Sequence, residues 1–87
     1  MFAAFSPSGK SIAVSLKESD HKSKIVLLNK KGKFIRTLVE NGKRNYYPRW
    51  SRDGREIVYF SRKETDNKDD EIYCLNVHSG NEIRLTH

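Results

Sequence analysis

The sequence predicts an all-β chain made of two four-stranded antiparallel β-propeller blades. Three observations lead there. A strand–turn–strand stretch occurs twice, as Ala4-Phe5-Ser6-Pro7-Ser8-Gly9-Lys10-Ser11-Ile12-Ala13-Val14-Ser15 and as Tyr47-Pro48-Arg49-Trp50-Ser51-Arg52-Asp53-Gly54-Arg55-Glu56-Ile57-Val58-Tyr59-Phe60-Ser61. No segment carries apolar residues at i, i+3, i+4 for long enough to make a helix. Two short runs, Ile25-Val26-Leu27-Leu28 and Ile57-Val58-Tyr59-Phe60, are apolar at every position. Side chains on a strand point to opposite faces by turns, so such a run predicts cover on both faces. A lone sheet does not supply that cover, whereas stacked blades do.

The repeat continues beyond the two stretches. Aligning Ser6 with Ser51 pairs Phe5 with Trp50, Gly9 with Gly54 and Ile12 with Ile57 at an offset of 45. Ile25 then pairs with Ile72 and Leu28 with Leu75 at 47, and Ile35 pairs with Ile83 at 48. The offset grows as small loop insertions would make it grow. A period of about 40–50 residues belongs to solenoids, propellers and arrays.

Taken in order, the first unit is expected at residues 1–40, with strands near 2–6, 11–16, 24–29 and 34–39. The second is expected at 41–87, with strands near 46–51, 56–61, 71–77 and 82–86. Pro7 suits the first central position of a β-turn, because its ring fixes φ near −65°. Gly9 and Gly54 suit a following position with φ > 0. Asn29-Lys30-Lys31-Gly32 and His78-Ser79-Gly80-Asn81 repeat that chemistry between the third and fourth strands. Trp50 and Tyr59 are expected between the blades.

Composition narrows the function. Hydrophobic residues make up 36% of the 87-residue chain, so it has little apolar surface with which to build a core alone. The single Cys74 excludes an internal disulfide framework and falls in a strand expected to bury it as an inert thiol. No run approaches the ~20 apolar residues of a membrane span. The first residues lack the basic start and long apolar stretch of an export signal.

The stretch from Tyr47 to Ser61 resembles the TolB-type, WD40-like propeller repeat, whose blades carry Pro-x-Trp-Ser-Pro-Asp-Gly-Lys before an apolar strand. Asp70-Glu71-Ile72-Tyr73-Cys74-Leu75-Asn76 resembles the third strand of that repeat, and Arg84-Leu85-Thr86 its ending. The first unit keeps Phe5-Ser6-Pro7-Ser8-Gly9-Lys10, with Phe for Trp and Ser8 for Asp, and it lacks the Ile-Tyr pair. In the second unit Arg52 stands where the family has Pro. The resemblance implies antiparallel blades around a channel, a noncatalytic protein-binding scaffold, and a periplasmic setting. Its alternative implication is the substrate-screening propeller of a larger enzyme, such as a prolyl-oligopeptidase-type serine peptidase. Two blades leave apolar faces open at both ends. Further blades in a longer protein, a ring of copies, or an isolated pair are the three ways to meet that. The first is the expectation, since a third unit would begin where His87 stands.

In an up-and-down sheet the tight turns lie at one end and the longer connections, 17–23, 40–46 and 62–70, at the other. The charges of those connections nearly cancel. Of the net charge of +6, from 17 Lys and Arg against 11 Asp and Glu, most falls on the tight-turn side. Lys10, Lys30, Lys31, Lys33, Arg52 and Arg55 form a candidate docking surface there for an acidic partner or for phosphate groups. The plainer reading is a set of solvated turn cations that keeps the protein soluble. No aromatic platform is interleaved with these charges, which argues against single-stranded nucleic acid. Tyr46 and Tyr47, at the crossover, are candidate ligand contacts as well as candidate core anchors. The run Asp66-Asn67-Lys68-Asp69-Asp70-Glu71 offers oxygens for Ca²⁺ but lacks the glycine and terminal Glu of an EF-hand loop, so a solvated acidic loop is expected. His21, His78 and His87 lack ligand spacing. Neither cofactor, metal nor catalytic constellation follows from the sequence.

Overall fold

The computed structural model describes residues 2–20, 22–62 and 71–85. Eight strands run in chain order: β1 Phe2–Phe5, β2 Ser11–Ser19, β3 Lys22–Asn29, β4 Phe34–Val39, β5 Arg44–Trp50, β6 Glu56–Arg62, β7 Glu71–Asn76 and β8 Glu82–Arg84. They form two four-stranded antiparallel sheets in sequential order, β1-β2-β3-β4 and β5-β6-β7-β8. There is no helix among the described residues. The chain passes from the first sheet to the second between Val39 and Arg44.

The turns show why the strands stop where they do. Gly9 N–H donates to Ser6 O at 2.9 Å, closing a β-turn with Pro7 at its first central position. Gly54 N–H closes the equivalent turn onto Ser51 O at 3.1 Å, and both glycines have φ of +74°. Asp53 Oδ1 accepts from Ser51 Oγ at 2.7 Å and from Arg55 N–H at 3.0 Å. The Ser51 hydroxyl, and after it the Arg55 N–H, hold the Asp53 carboxyl below the usual carboxylate range. In the first unit Ser8 takes the place of Asp53, 3.2 Å from the Ser6 hydroxyl and accepting from Lys10 N–H at 3.3 Å. Asn29 and Asn76 cap the other two turns alike. Asn29 Oδ1 accepts from Lys31 and Lys33 N–H, and Asn76 Oδ1 from His78 and Ser79 N–H.

The sheets stack face to face on one hydrophobic core. Ala13, Ile25, Leu27 and Val39 come from the first sheet, and Ile57, Tyr59, Leu75 and Val77 from the region of the second. Trp50 packs at the edge of that core, and its Nε1–H donates to Ala4 O across the seam at 2.9 Å. Trp50 and Tyr59 thus lie between the sheets, as the sequence predicts.

Two expectations need correction. Burial on both faces holds for β3, where Ile25, Val26 and Leu27 are all buried, but not for β6. There Ile57, Tyr59 and Ser61 are buried while Val58 and Phe60, on the other face, are only half-buried. Residues 17–23 are not a long loop. β2 and β3 pair out to Ser19 opposite Lys22, which leaves Asp20 in a tight reversal. The physical cause is an anchor from the end of the crossover: Ser23 N–H donates to Lys43 O at 3.0 Å, which holds the start of β3 extended. Likewise β5 begins at Arg44, so the crossover shrinks to 40–43, and Arg62 belongs to β6.

Candidate functional site

A cleft of about 430 Å³ opens at the seam between the sheets, on the side of the β2–β3 reversal and the β4–β5 crossover. Its position follows from a buried polar lock beneath it. Asn45 is fully buried on β5. Its backbone carbonyl accepts from Ser15 Oγ at 2.6 Å and from Ser23 Oγ at 2.8 Å, and its N–H donates to Ser23 Oγ at 2.7 Å. The side-chain Nδ2 donates to Ser23 O at 2.9 Å, Asn41 Oδ1 at 2.9 Å and Lys43 O at 3.2 Å. Its Oδ1 accepts from Ser61 Oγ at 2.9 Å. β2, β3, β5 and β6 are thereby joined at one residue. A buried network with its partners in place rigidifies the surface above it.

Aromatic rings crowd the cleft wall. β5 carries a bulge: Tyr46 opposes Phe60 and Arg49 opposes Val58, so Tyr47 and Pro48 together face the single residue Tyr59. Tyr47 sits in the left-handed region at φ +53°, an uncommon conformation for a large side chain and more so for one preceding proline. Such strain costs on the order of 1–3 kcal/mol and persists only where the surroundings impose it. Here the bulge turns the Tyr47 ring onto Phe2 of the first sheet, with centroids 4.2 Å apart, and against Tyr46 at 5.0 Å. Phe60 meets both tyrosines at about 6 Å. Phe2 and Tyr47 remain exposed.

The cleft's charge is one-sided. Among the described residues, Lys17, Lys22, Arg44 and Arg62 line it with one carboxylate, Asp20, a net of +3 for these residues. Arg44 and Arg62 are direct cross-strand partners. Lys17 Nζ lies 3.2 Å from Asp20 Oδ1, but both side chains are so exposed that the pair contributes little. Summing charge over whole connections hid this convergence. Glu40 is drawn to Lys24, at 4.0 Å, and does not line the cleft, and neither does Glu18.

Of the sequence-predicted residues, Tyr46 and Tyr47 meet in this cleft. Lys10, Lys30, Lys31, Lys33, Arg52 and Arg55 are all exposed at the tight-turn end and line neither this cleft nor the cavity that opens beside them. The register places Ser11 opposite Asn29, so Lys10 and Lys30 are neighbours at one corner of the first sheet. Arg55 Nε stands 4.0 Å from Asp53 Oδ2. A second cavity, of about 480 Å³, opens at that end, with Arg36, Asp53, His78 and Trp50 in its lining. Lys17, Lys22, Arg44 and Arg62 were missed because strand extension, which the sequence does not signal, carries them to the seam.

The remaining candidates are placed as follows. Asp66 to Asp70, His21 and His87 lie outside the described residues. Glu71 is a strand residue that pairs with Arg84 at 3.0 Å and accepts from Tyr73 Oη at 2.9 Å. Among the described residues no cluster of three His, Cys, Asp or Glu is arranged to hold a metal ion. No helix among them is long and apolar enough to cross a membrane. Cys74 is half-buried on the outer side of the second sheet rather than in the core, with Sγ 3.3 Å from Glu56 Oε2. Burial, and after it the Glu56 carboxylate, push its thiol above the usual range. The thiolate is the reactive form. Alkylation at pH 8 is therefore expected to be slower in the native protein than in the urea-unfolded chain, and Glu56→Gln to speed it. Equal native and unfolded rates would refute that account.

Compared with known proteins, the chain matches no protein-family model and no curated protein sequence.

Proposed function

We propose that this chain is a pair of TolB-like propeller blades acting as a noncatalytic protein-binding scaffold, and that the seam cleft receives an acidic peptide segment carrying an aromatic or large apolar side chain. One observation carries the reading: Phe2, Tyr46 and Tyr47 and the four cations Lys17, Lys22, Arg44 and Arg62 converge on a single cavity. Aromatic and arginine side chains are the residues on which interface energy concentrates. The volume suits a few peptide side chains. Phe2 and Tyr47 are tilted and Tyr47 meets Tyr46 and Phe60 edge-on, with only Tyr46 and Phe60 stacked on each other, which favours a side-chain pocket over the flat platform on which bases stack. The floor hydroxyls of Ser15 and Ser23 are committed to Asn45, which supports the reading of a preformed receptor.

The test is titration with a labelled Asp-Glu-Trp-Asp-Glu peptide, its Asn-Gln-Trp-Asn-Gln counterpart and a short oligothymidylate. The acidic peptide is expected to bind, to weaken with added salt, and to lose at least about tenfold in affinity, about 1.4 kcal/mol, with Arg44→Glu. Equal binding of the neutral peptide, tighter binding of the oligonucleotide, or no effect of Arg44→Glu would each overturn the reading.

A further inference from the structure

The two outer faces of the molecule are the two halves of an interface it already contains once. On the second sheet, the covered face presents Ile57, Tyr59 and Leu75 to the first sheet. The repeat equates these with Ile12, Val14 and Leu28, which the register places on the opposite side of the first sheet, where Val14 is buried among its own sheet's neighbours and Ile12 and Leu28 are half-buried. On the first sheet, the covered face presents Ala13, Ile25 and Leu27. Their equivalents Val58, Ile72 and Cys74 stand on the open side of the second sheet. The same holds at the inner edge. Trp50 packs on the core and donates to Ala4 O, whereas its equivalent Phe5 is 65% exposed. Phe34 and Ile83, on the same open faces as partners of Leu28 and Cys74, are 62% and 61% exposed.

From this complementarity we infer that a second copy of the chain covers these faces. The open side of one copy's first sheet seats on the open side of its neighbour's second sheet, continuing the seam seen between the two sheets. Such a contact joins two different surfaces, so it propagates head to tail and ends when the rotation closes. Closed propellers hold roughly four to eight blades, which corresponds to two to four copies. The inference rests on the stacking of the sheets and not on the ligand of the cleft.

Native mass spectrometry and light scattering on the 87-residue chain test it. A discrete multiple of the 10.1 kDa chain is expected. Phe5→Glu with Phe34→Glu blocks only the first-sheet face, and Val58→Lys with Ile83→Lys blocks only the second-sheet face. Each blocked variant is expected to be a monomer with the far-ultraviolet circular dichroism of a β protein. Mixing the two leaves one intact seam, so a 1:1 dimer that grows no further is expected. A monomeric parent chain would show that something else covers the faces and would overturn the inference. So would a blocked variant that still self-associates, since that requires a face to pair with itself. Heterogeneous aggregation of the parent, or a mixture of folded variants that stays monomeric, would overturn it as well.

Discussion

Asn45→Ala is expected to lower the unfolding free energy by about 3 kcal/mol, measured by urea denaturation. The backbone bonds at position 45 survive the change. What is lost is every side-chain bond: the two hydrogens of Nδ2, donated to Ser23 O and Asn41 Oδ1 with Lys43 O as a longer, shared acceptor, and the bond accepted from Ser61 Oγ. Ser61 is itself buried, so its hydroxyl would be left without a partner in the interior. A chain of this length has about 4–13 kcal/mol of stability in all, so the loss is a large fraction of it. Ser61→Ala removes one of these bonds and is expected to cost about 1 kcal/mol. The double variant should fall short of the sum, because the two residues share one network. A cost below about 1 kcal/mol for Asn45→Ala would show that the seam is held by apolar packing alone.

Tyr59 is expected to respond in opposite directions to two substitutions. Its side chain is fully buried between the sheets and stacks on Tyr73, with centroids 5.7 Å apart. Among the described residues, Tyr59 Oη is a buried polar atom with no hydrogen-bond partner. A hydroxyl stripped of water and given nothing in return opposes folding. Tyr59→Phe keeps the ring and removes that penalty, so stability should rise by about 1 kcal/mol. Tyr59→Ala opens a cavity at the centre of the core and should cost about 4 kcal/mol, enough to unfold much of the population at room temperature. Destabilisation by Tyr59→Phe would mean that the hydroxyl has a partner, and the account of this core would then be wrong.

The architecture was legible because its signals are local and repeated. Pro7 with Gly9, and Asn29 with Gly32, define turns within four residues; the first recurs at Ser51–Gly54, and the second returns one residue longer, with Gly80 N–H closing onto Asn76 O. The stacking of the sheets was legible from Ile25-Val26-Leu27, whose unbroken apolar run needs cover on both sides. The cleft was legible only through Tyr46 and Tyr47. Its cations come from the ends of four strands, and their meeting depends on the β2–β3 ladder reaching Ser19 and Lys22. That extension is enforced by Lys43 and Asn45, some twenty residues further on, and no local pattern announces it. The left-handed Tyr47 was equally hidden, since a tyrosine before proline reads as extended chain. It takes the bulge, seen only once β6 is in register, to reveal it.

The polar lock beneath the cleft also gives the two halves of the chain an order. It needs a small hydroxyl at position 15, and the matching position of the second sheet holds Phe60. Were the halves transposed by circular permutation, the new junction would bring Phe60 where the lock needs Ser15, and the alignment of one sheet on the other would rest on side-chain packing without the lock. Near-identical modules risk joining in the wrong sequence or the wrong alignment. One asparagine that fits a single junction acts as a key, distinguishing the correct neighbour from its look-alike.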